Sequence, residues 1–306
     1  MVALTHIEAK VQEFLKELDS PLVLNLSKHL QRGKMLRSKL ALNIAGESEE
    51  SVRLCAIIEM IQSASLLHDD VIDGATTRRN KPSINALFGN KNAIMLGDVL
   101  YSKAFSELTY FAKDYPQIPR IVANAVTTLA IGEMEDVALT SAFNFDEGKY
   151  LTMIEHKTAA LIEATAYAAA FLAGKDKKDA KGFQVYGRSL GVAFQIIDDV
   201  LDIVSDSKTL GKPTLSDFKE GKTTLPYLYL YPTLDEVGKA RLCNAFGKDL
   251  EKEEQEWILT QLQASGAVQK SLELARHFGK MGVEAIANQS CDTLIEIMHA
   301  MIERDF

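Results

Sequence analysis

Strand-like alternation of apolar and polar residues is scarce along this chain. Apolar positions recur instead at helical intervals, as at Ile57, Ile58, Ile61 and Leu66, and that spacing predicts helices. Prolines support the reading. Of seven, none lies between Pro119 and Pro213 or after Pro232, and long proline-free stretches rich in Ala, Leu, Glu, Lys and Gln favour helix. Ser20-Pro21 has the cap-then-proline form of a helix start. After a break at Gly33, Ser48 with Glu47, Glu49 and Glu50 puts negative charge at the first turn of a helix running past Leu66. Residues 74–90, with Pro82 and Gly89, read as a loop. A helix then starts at Asn90 or Asn92 and runs through Tyr101 and Phe105, residues 114–119 break it, and 121–139 form another. Asp146 opens a helix that carries Lys157 and ends near Gly174, and Lys178 to Asp202 forms the next. Residues 205–222, with Gly211, Pro213 and Gly221, make a loop long enough to serve as a lid. Thr233 with Glu236 has the spacing of a capping box, and the remainder reads as helices broken near Gly266 and at 288–292. The expected fold class is all-α, in a single domain over residues 1–306.

Two helices of this set end in the same acidic signature. Asp69-Asp70-Val71-Ile72-Asp73 and Asp198-Asp199-Val200-Leu201-Asp202 lie 129 residues apart, each in apolar sequence. On a helix, residues i and i+4 share a face, so Asp69 pairs with Asp73 and Asp198 with Asp202. The apolar flanks draw both helices into the interior, and the carboxylates go with them. Clustered like charges in a poorly solvated place neutralise unless something positive sits among them. Oxygen-only donors select a hard divalent ion, and the expected guest is Mg²⁺. One such turn alone is an ordinary solvated helix surface; two with matching flanks are not. An EF-hand is excluded, because Val71 stands at the third loop position counted from Asp69 and Asn80 at the twelfth. A metal phosphohydrolase built on His68-Asp69 needs further histidines, and the six in the chain form no tight cluster.

Charge and composition narrow the partners. The net charge of −8 argues against nucleic acid, so an anionic ligand must meet a local basic cluster. Arg78-Arg79 follows the first acidic helix, Lys212 and Lys222 follow the second, and Gly33-Lys34-Met35-Leu36-Arg37 adds another basic group beside a glycine. Guanidinium together with metal is a means of holding diphosphates. Three cysteines without a motif fit unpaired thiols in a reducing cytoplasm. An apolar fraction of 47% supports a large core. The longest strongly apolar segment, Ala164 to Gly174, is far short of the ~20 residues needed to span a bilayer, and no N-terminal targeting signal is visible.

Taken together, these motifs resemble the all-trans polyprenyl diphosphate synthases, prenyltransferases that condense isopentenyl diphosphate with an allylic diphosphate. The resemblance runs from about Gly33 to Lys222 and rests on both acidic motifs in order, with GKxxR, RR, KT and GK around them. It implies a large helical bundle around a deep cavity, usually a homodimer. Asp69 and Asp73 match the first metal motif and Asp198, with Asp199 and Asp202 nearby, the second, together holding Mg²⁺ on the allylic diphosphate. Arg78, Lys157 and Lys212 match residues that grip that diphosphate, with Lys222 a helper in the lid. Lys34, Arg37, Gln62 and Arg79 match the isopentenyl diphosphate site. Thr158 and Gln195 match polar groups close to the reacting allylic carbon. Arg32 in place of a usual glycine, Ser38 in place of a common proline and Asp136 where a glutamine is frequent depart from the family pattern. Product length is expected to follow from Ser65 and Ala64, four and five residues before Asp69. Both are small, which in the family resembles an open tunnel, so a long product, octaprenyl diphosphate, is expected from a primer such as farnesyl diphosphate. A geranylgeranyl or other medium-chain synthase is the near alternative. A terpenoid cyclase would not need the second diphosphate site, and a non-catalytic subunit of a heteromeric synthase would tend to lose the acidic motifs.

Overall fold

The structure, a computed structural model, describes residues 2–31, 33–204, 215–289 and 291–303. Helices dominate: α1 (Val2–Lys16), α2 (Pro21–Ser27), α3 (Leu36–Ala45), α4 (Glu49–Ile72), α5 (Ile84–Phe88), α6 (Asn90–Leu108), α7 (Gln117–Leu139), α8 (Glu147–Ile154), α9 (Ala160–Leu172) and α10 (Lys177–Val204). After the undescribed segment come α11 (Ser216–Lys219), α12 (Leu225–Leu230), α13 (Glu236–Ala245), α14 (Lys252–Ala264), α15 (Ala267–Ala285) and α16 (Asp292–Ile302). The all-α expectation holds. Several starts follow from side chains that satisfy otherwise orphaned amides. Ser20 accepts from the Val23 N–H, Ser48 and Ser51 form a reciprocal capping box, and Asp146 accepts from the Lys149 N–H. At α13 the cap is Asp235, which accepts from the Gly238 N–H. The Thr233 hydroxyl donates backwards to the Leu230 carbonyl at 2.7 Å, so Thr233 and Glu236 do not form the expected capping box.

The stretch expected to be loop between residues 74 and 90 is more ordered than its sequence indicates. It holds a two-residue hairpin, β1 (Thr77–Arg78) with β2 (Lys81–Pro82), before α5. Its turn residues Arg79 and Asn80 are both left-handed, with φ of 49° and 61°, the conformation that suits the twist of a tight hairpin. The α8 helix continues into α9 through a π turn, Glu155–Ala159, a distortion common at functional sites.

The chain divides into two compact units, Met1–Val126 with Glu163–Gln184, and Thr127–Ile162 with Val185–Phe306. In the first, α4 is the core element, burying Leu54, Ile57, Ile58, Ile61, Ala64 and Leu67 against α6, α1 and α3. In the second, α10 and the π turn approach so closely that a Cβ on Gly191 would lie 2.5 Å from the Ala159 Cα. The α12 helix packs on α15, and α15 on α16. Among the described residues no helix is long and apolar enough to cross a membrane.

Candidate active site

In the first unit, the acidic end of α4 splits its three aspartates. Asp69 is half-buried, Asp73 is exposed, and Asp70 points inward. The inward residue takes the first arginine of the pair: Arg78 Nε and Nη2 both donate to Asp70 Oδ1, at 2.8 and 2.7 Å. Neighbours on a helix diverge by about 100°, so Asp70 cannot share the face of Asp69 and Asp73. It fixes the Arg78 guanidinium instead.

The hairpin turn carries Arg79 in the opposite sense. Its Nη1 donates to the Gln31 carbonyl at 3.0 Å, and its Nη2 sits where a Cβ on Gly33 would come within 2.8 Å. A side chain at position 33 would displace the guanidinium from this place. Burial lowers the Arg79 pKa, Arg78 lowers it further, and Glu59 opposes both. Arg37, on α3, is affected more strongly: burial brings its guanidinium down to about 10 against the pull of Glu59, and its Nε has no hydrogen-bond partner. The Gln62 Oε1 is likewise buried and unpartnered, while Lys34 is exposed. Glu59, which the sequence reading passed over, is held by the Ser38 hydroxyl at 2.6 Å. An unused donor on Arg37 and an unused acceptor on Gln62 are what a polar ligand site in waiting would display. Ala64 is fully buried and Ser65 nearly so, the Ser65 hydroxyl donating to the Gln62 carbonyl at 3.0 Å.

The second unit contains a cavity of about 120 Å³ that brings together Lys157, Thr158, Gln195, Lys222, Asp136 and Asp199. Lys157 and Thr158 lie on the π turn, against Gly132 of α7, where a Cβ would fall 2.2 Å from the Lys157 nitrogen. The Lys157 ammonium rests between Asp136 Oδ2 at 2.6 Å and Glu133 Oε2 at 2.8 Å. Burial lowers its pKa, but Asp136 and Glu133 outweigh that effect and raise it overall. Thr158 Oγ1 donates to Gln195 Oε1 at 2.8 Å, Gln195 Nε2 donates to Asp199 Oδ1 at 2.9 Å, and the Tyr150 hydroxyl donates to Asp199 Oδ2 at 2.5 Å. Burial pushes the Asp199 carboxyl well above the usual range, and the charges of Asp217 and Asp198 add to that against the two hydrogen bonds. Asp198 is half-buried. Asp202 accepts from the backbone N–H of Ser216 at 3.2 Å and of Asp217 at 3.1 Å. Lys222 donates to Glu220 Oε2 at 2.9 Å. The expectation for Lys212, and for most of the lid segment, falls outside the described residues.

The donor set fits a hard divalent cation. Its side chains are carboxylates at i and i+4, and beyond the burial that chiefly raises Asp199, the charges of Asp217 and Asp198 add to the rise, a sign of negative charge gathered here. Among the described residues no group of three or more His, Cys, Asp or Glu side chains forms a ready-made metal cage. Mg²⁺ commonly keeps one or two carboxylates and takes its other ligands from water and substrate phosphates, so such a cage is not required. Sequence reasoning missed Asp70, Glu133, Tyr150 and Asp217. Asp70 alone carried a signal, as the middle residue of an acidic triplet with an arginine pair close behind.

Comparison with known proteins places the chain in a family. The profile of the polyprenyl synthetase family matches residues 20–262. The chain is 33% identical over 285 residues to an octaprenyl diphosphate synthase of Escherichia coli, covering 89% of this chain and 86% of that one. It is 35% identical over 254 residues to a short chain isoprenyl diphosphate synthase of Methanothermobacter thermautotrophicus, covering 80% and 78%. Its structure is similar to that of octaprenyl pyrophosphate synthase from Helicobacter pylori, with a TM-score of 0.93 and 45% identity over 99% of each chain.

Proposed function

Because the chain belongs to the polyprenyl synthetase family and is a prenyltransferase, we propose that it performs the Mg²⁺-dependent head-to-tail condensation of isopentenyl diphosphate with an allylic diphosphate. The observation that carries the reading is the cavity in which Lys157, Thr158, Gln195 and Lys222 meet. Lys157 and Lys222, with Arg78 and Lys212, serve the allylic diphosphate. Lys34, Arg37, Gln62 and Arg79 serve isopentenyl diphosphate, consistent with the unspent Arg37 and Gln62 atoms in the first unit. Asp69, Asp73, Asp198 and Asp202 are the carboxylates that receive Mg²⁺, whose charge when bound eases departure of the diphosphate. Fixed cations in a cavity shielded from water add to that stabilisation, and the isopentenyl double bond, held in place, attacks the allylic carbon. The released diphosphate takes the proton.

The product is a long chain, octaprenyl diphosphate, built on farnesyl diphosphate. The small side chains of Ala64 and Ser65 support a long product, and two of the relatives above bear the octaprenyl name. The enzyme acts as a homodimer. Incubation of the purified chain with Mg²⁺, labelled isopentenyl diphosphate and farnesyl diphosphate should yield an eight-unit prenyl product, and EDTA should abolish it. A cyclic hydrocarbon, or no product, would overturn the assignment. In the same assay Ala64→Phe should shorten the product, and an unchanged length distribution would reject the role given to Ala64.

A further inference from the structure

The two oxygens of Asp199 are already engaged. One accepts from Gln195 and the other from Tyr150, and the residue is 3% exposed. Tyr150 is itself 1% exposed, so this anchor is a deeply buried part of the cavity lining. The direction of the chain matters more than its length. Gln195 turns its NH₂ towards Asp199 Oδ1 and its carbonyl towards Thr158, and an amide oxygen only accepts. The Thr158 hydroxyl is then committed as a donor to Gln195 at 2.8 Å. Its hydrogen is directed away from any ligand, and what remains for the cavity is oxygen lone-pair density.

We propose that Asp199, pinned by Tyr150, is a positioning residue and not a metal ligand: through Gln195 it sets the polarity of the Thr158 hydroxyl, so that electron density faces the allylic carbon as positive charge develops there. This rests on the reading that the cavity receives the allylic substrate. With the amide reversed, Thr158 would accept from Gln195 and would have a hydrogen to turn into the cavity, a positive end opposed to a developing cation.

Asp199→Asn tests the polarity, because an asparagine that accepts from Tyr150 must offer its NH₂ to Gln195 and so reverses the amide. The expected result is a fall in kcat of about 10²-fold, with KM for both diphosphates unchanged. Mn²⁺ binding in the presence of inorganic diphosphate, followed by electron paramagnetic resonance, should also be unchanged. The double variant Asp199→Asn with Gln195→Glu restores the order, since a carboxylate at 195 accepts from both neighbours, and should recover at least about tenfold of the lost kcat. Weakened Mn²⁺ binding in Asp199→Asn, or a double variant no faster than the single one, would overturn the proposal. Should Asp199→Asn fail to fold, Tyr150→Phe is the substitute: a lower kcat with intact Mn²⁺ binding supports the anchor, and an unchanged kcat removes it. Wild-type turnover in parallel separates these outcomes from failure of the prenyltransferase reading, because only the latter leaves the unaltered chain inactive.

Discussion

Two buried ionisable residues, Lys157 and Cys55, show opposite outcomes of desolvation. Lys157 keeps its charge because Asp136 and Glu133 outweigh desolvation, whereas at Cys55 burial pushes the thiol up to about 12, Glu59 adding to the effect and a hydrogen bond to Ser38 opposing it. The thiol therefore stays neutral in the folded state at pH values where an unfolded cysteine, near 9, has ionised. A pKa raised on folding gives stability that is complete below the unfolded value and declines as pH climbs towards the folded one. The folded protein should lose stability from pH 9 upwards, and Cys55→Ala, although less stable at neutral pH through its cavity, should lose about 2 kcal/mol less between pH 9 and roughly 10.5. Denaturant midpoints across that range check it; parallel curves would refute it. At this scale the site was half legible. Lys157, Thr158, Gln195 and Arg78 stand in short motifs that identify them, but the partners that hold them do not. Tyr150 meets Asp199 from 49 residues away and Glu133 meets Lys157 from 24 away, contacts that no local pattern encodes.

Helix boundaries were more readable than helix interiors. Ser20, Ser48 and Asp146 cap as their sequences indicate, because a cap is a local bargain between one side chain and one or two amides. The hairpin at 77–82 escaped notice since its strands are two residues long and its turn residues, Arg79 and Asn80, include no glycine. The π turn at 155–159 has no local marker either; what stands opposite it is Gly132. That glycine gives a test of the element. Gly132→Ala would drive a methyl group into the Lys157 backbone, and the shift needed should cost about 1–3 kcal/mol in the denaturation midpoint together with most of the activity. A variant with wild-type stability and rate would show that the π turn does not depend on close approach at this point.

For the molecule as a whole, composition was a reliable guide to class: few prolines, scarce alternation and a high apolar fraction led to helices. The division into two units was not readable, because its limits at 126, 162 and 184 fall inside helices where nothing resembling a linker occurs. One surface bears on assembly. Ile131, Met134 and Val137 form an exposed apolar stripe on α7, Met134 at 73% exposure, and stripes of that kind mark interaction surfaces. In the homodimer proposed above, Met134→Glu should shift the protein to monomer in sedimentation velocity, and an unaltered dimer would remove α7 from the interface. Asp202 has a broader consequence. Its carbonyl accepts from the Leu215 N–H at 3.0 Å and its carboxylate accepts from the N–H groups of Ser216 and Asp217, so the end of α10 is clamped directly to the start of α11. Doubling the span between two ends already joined adds only about 0.6 kcal/mol of closure entropy, so changes of length in the sequence between 202 and 215 cost the clamp little.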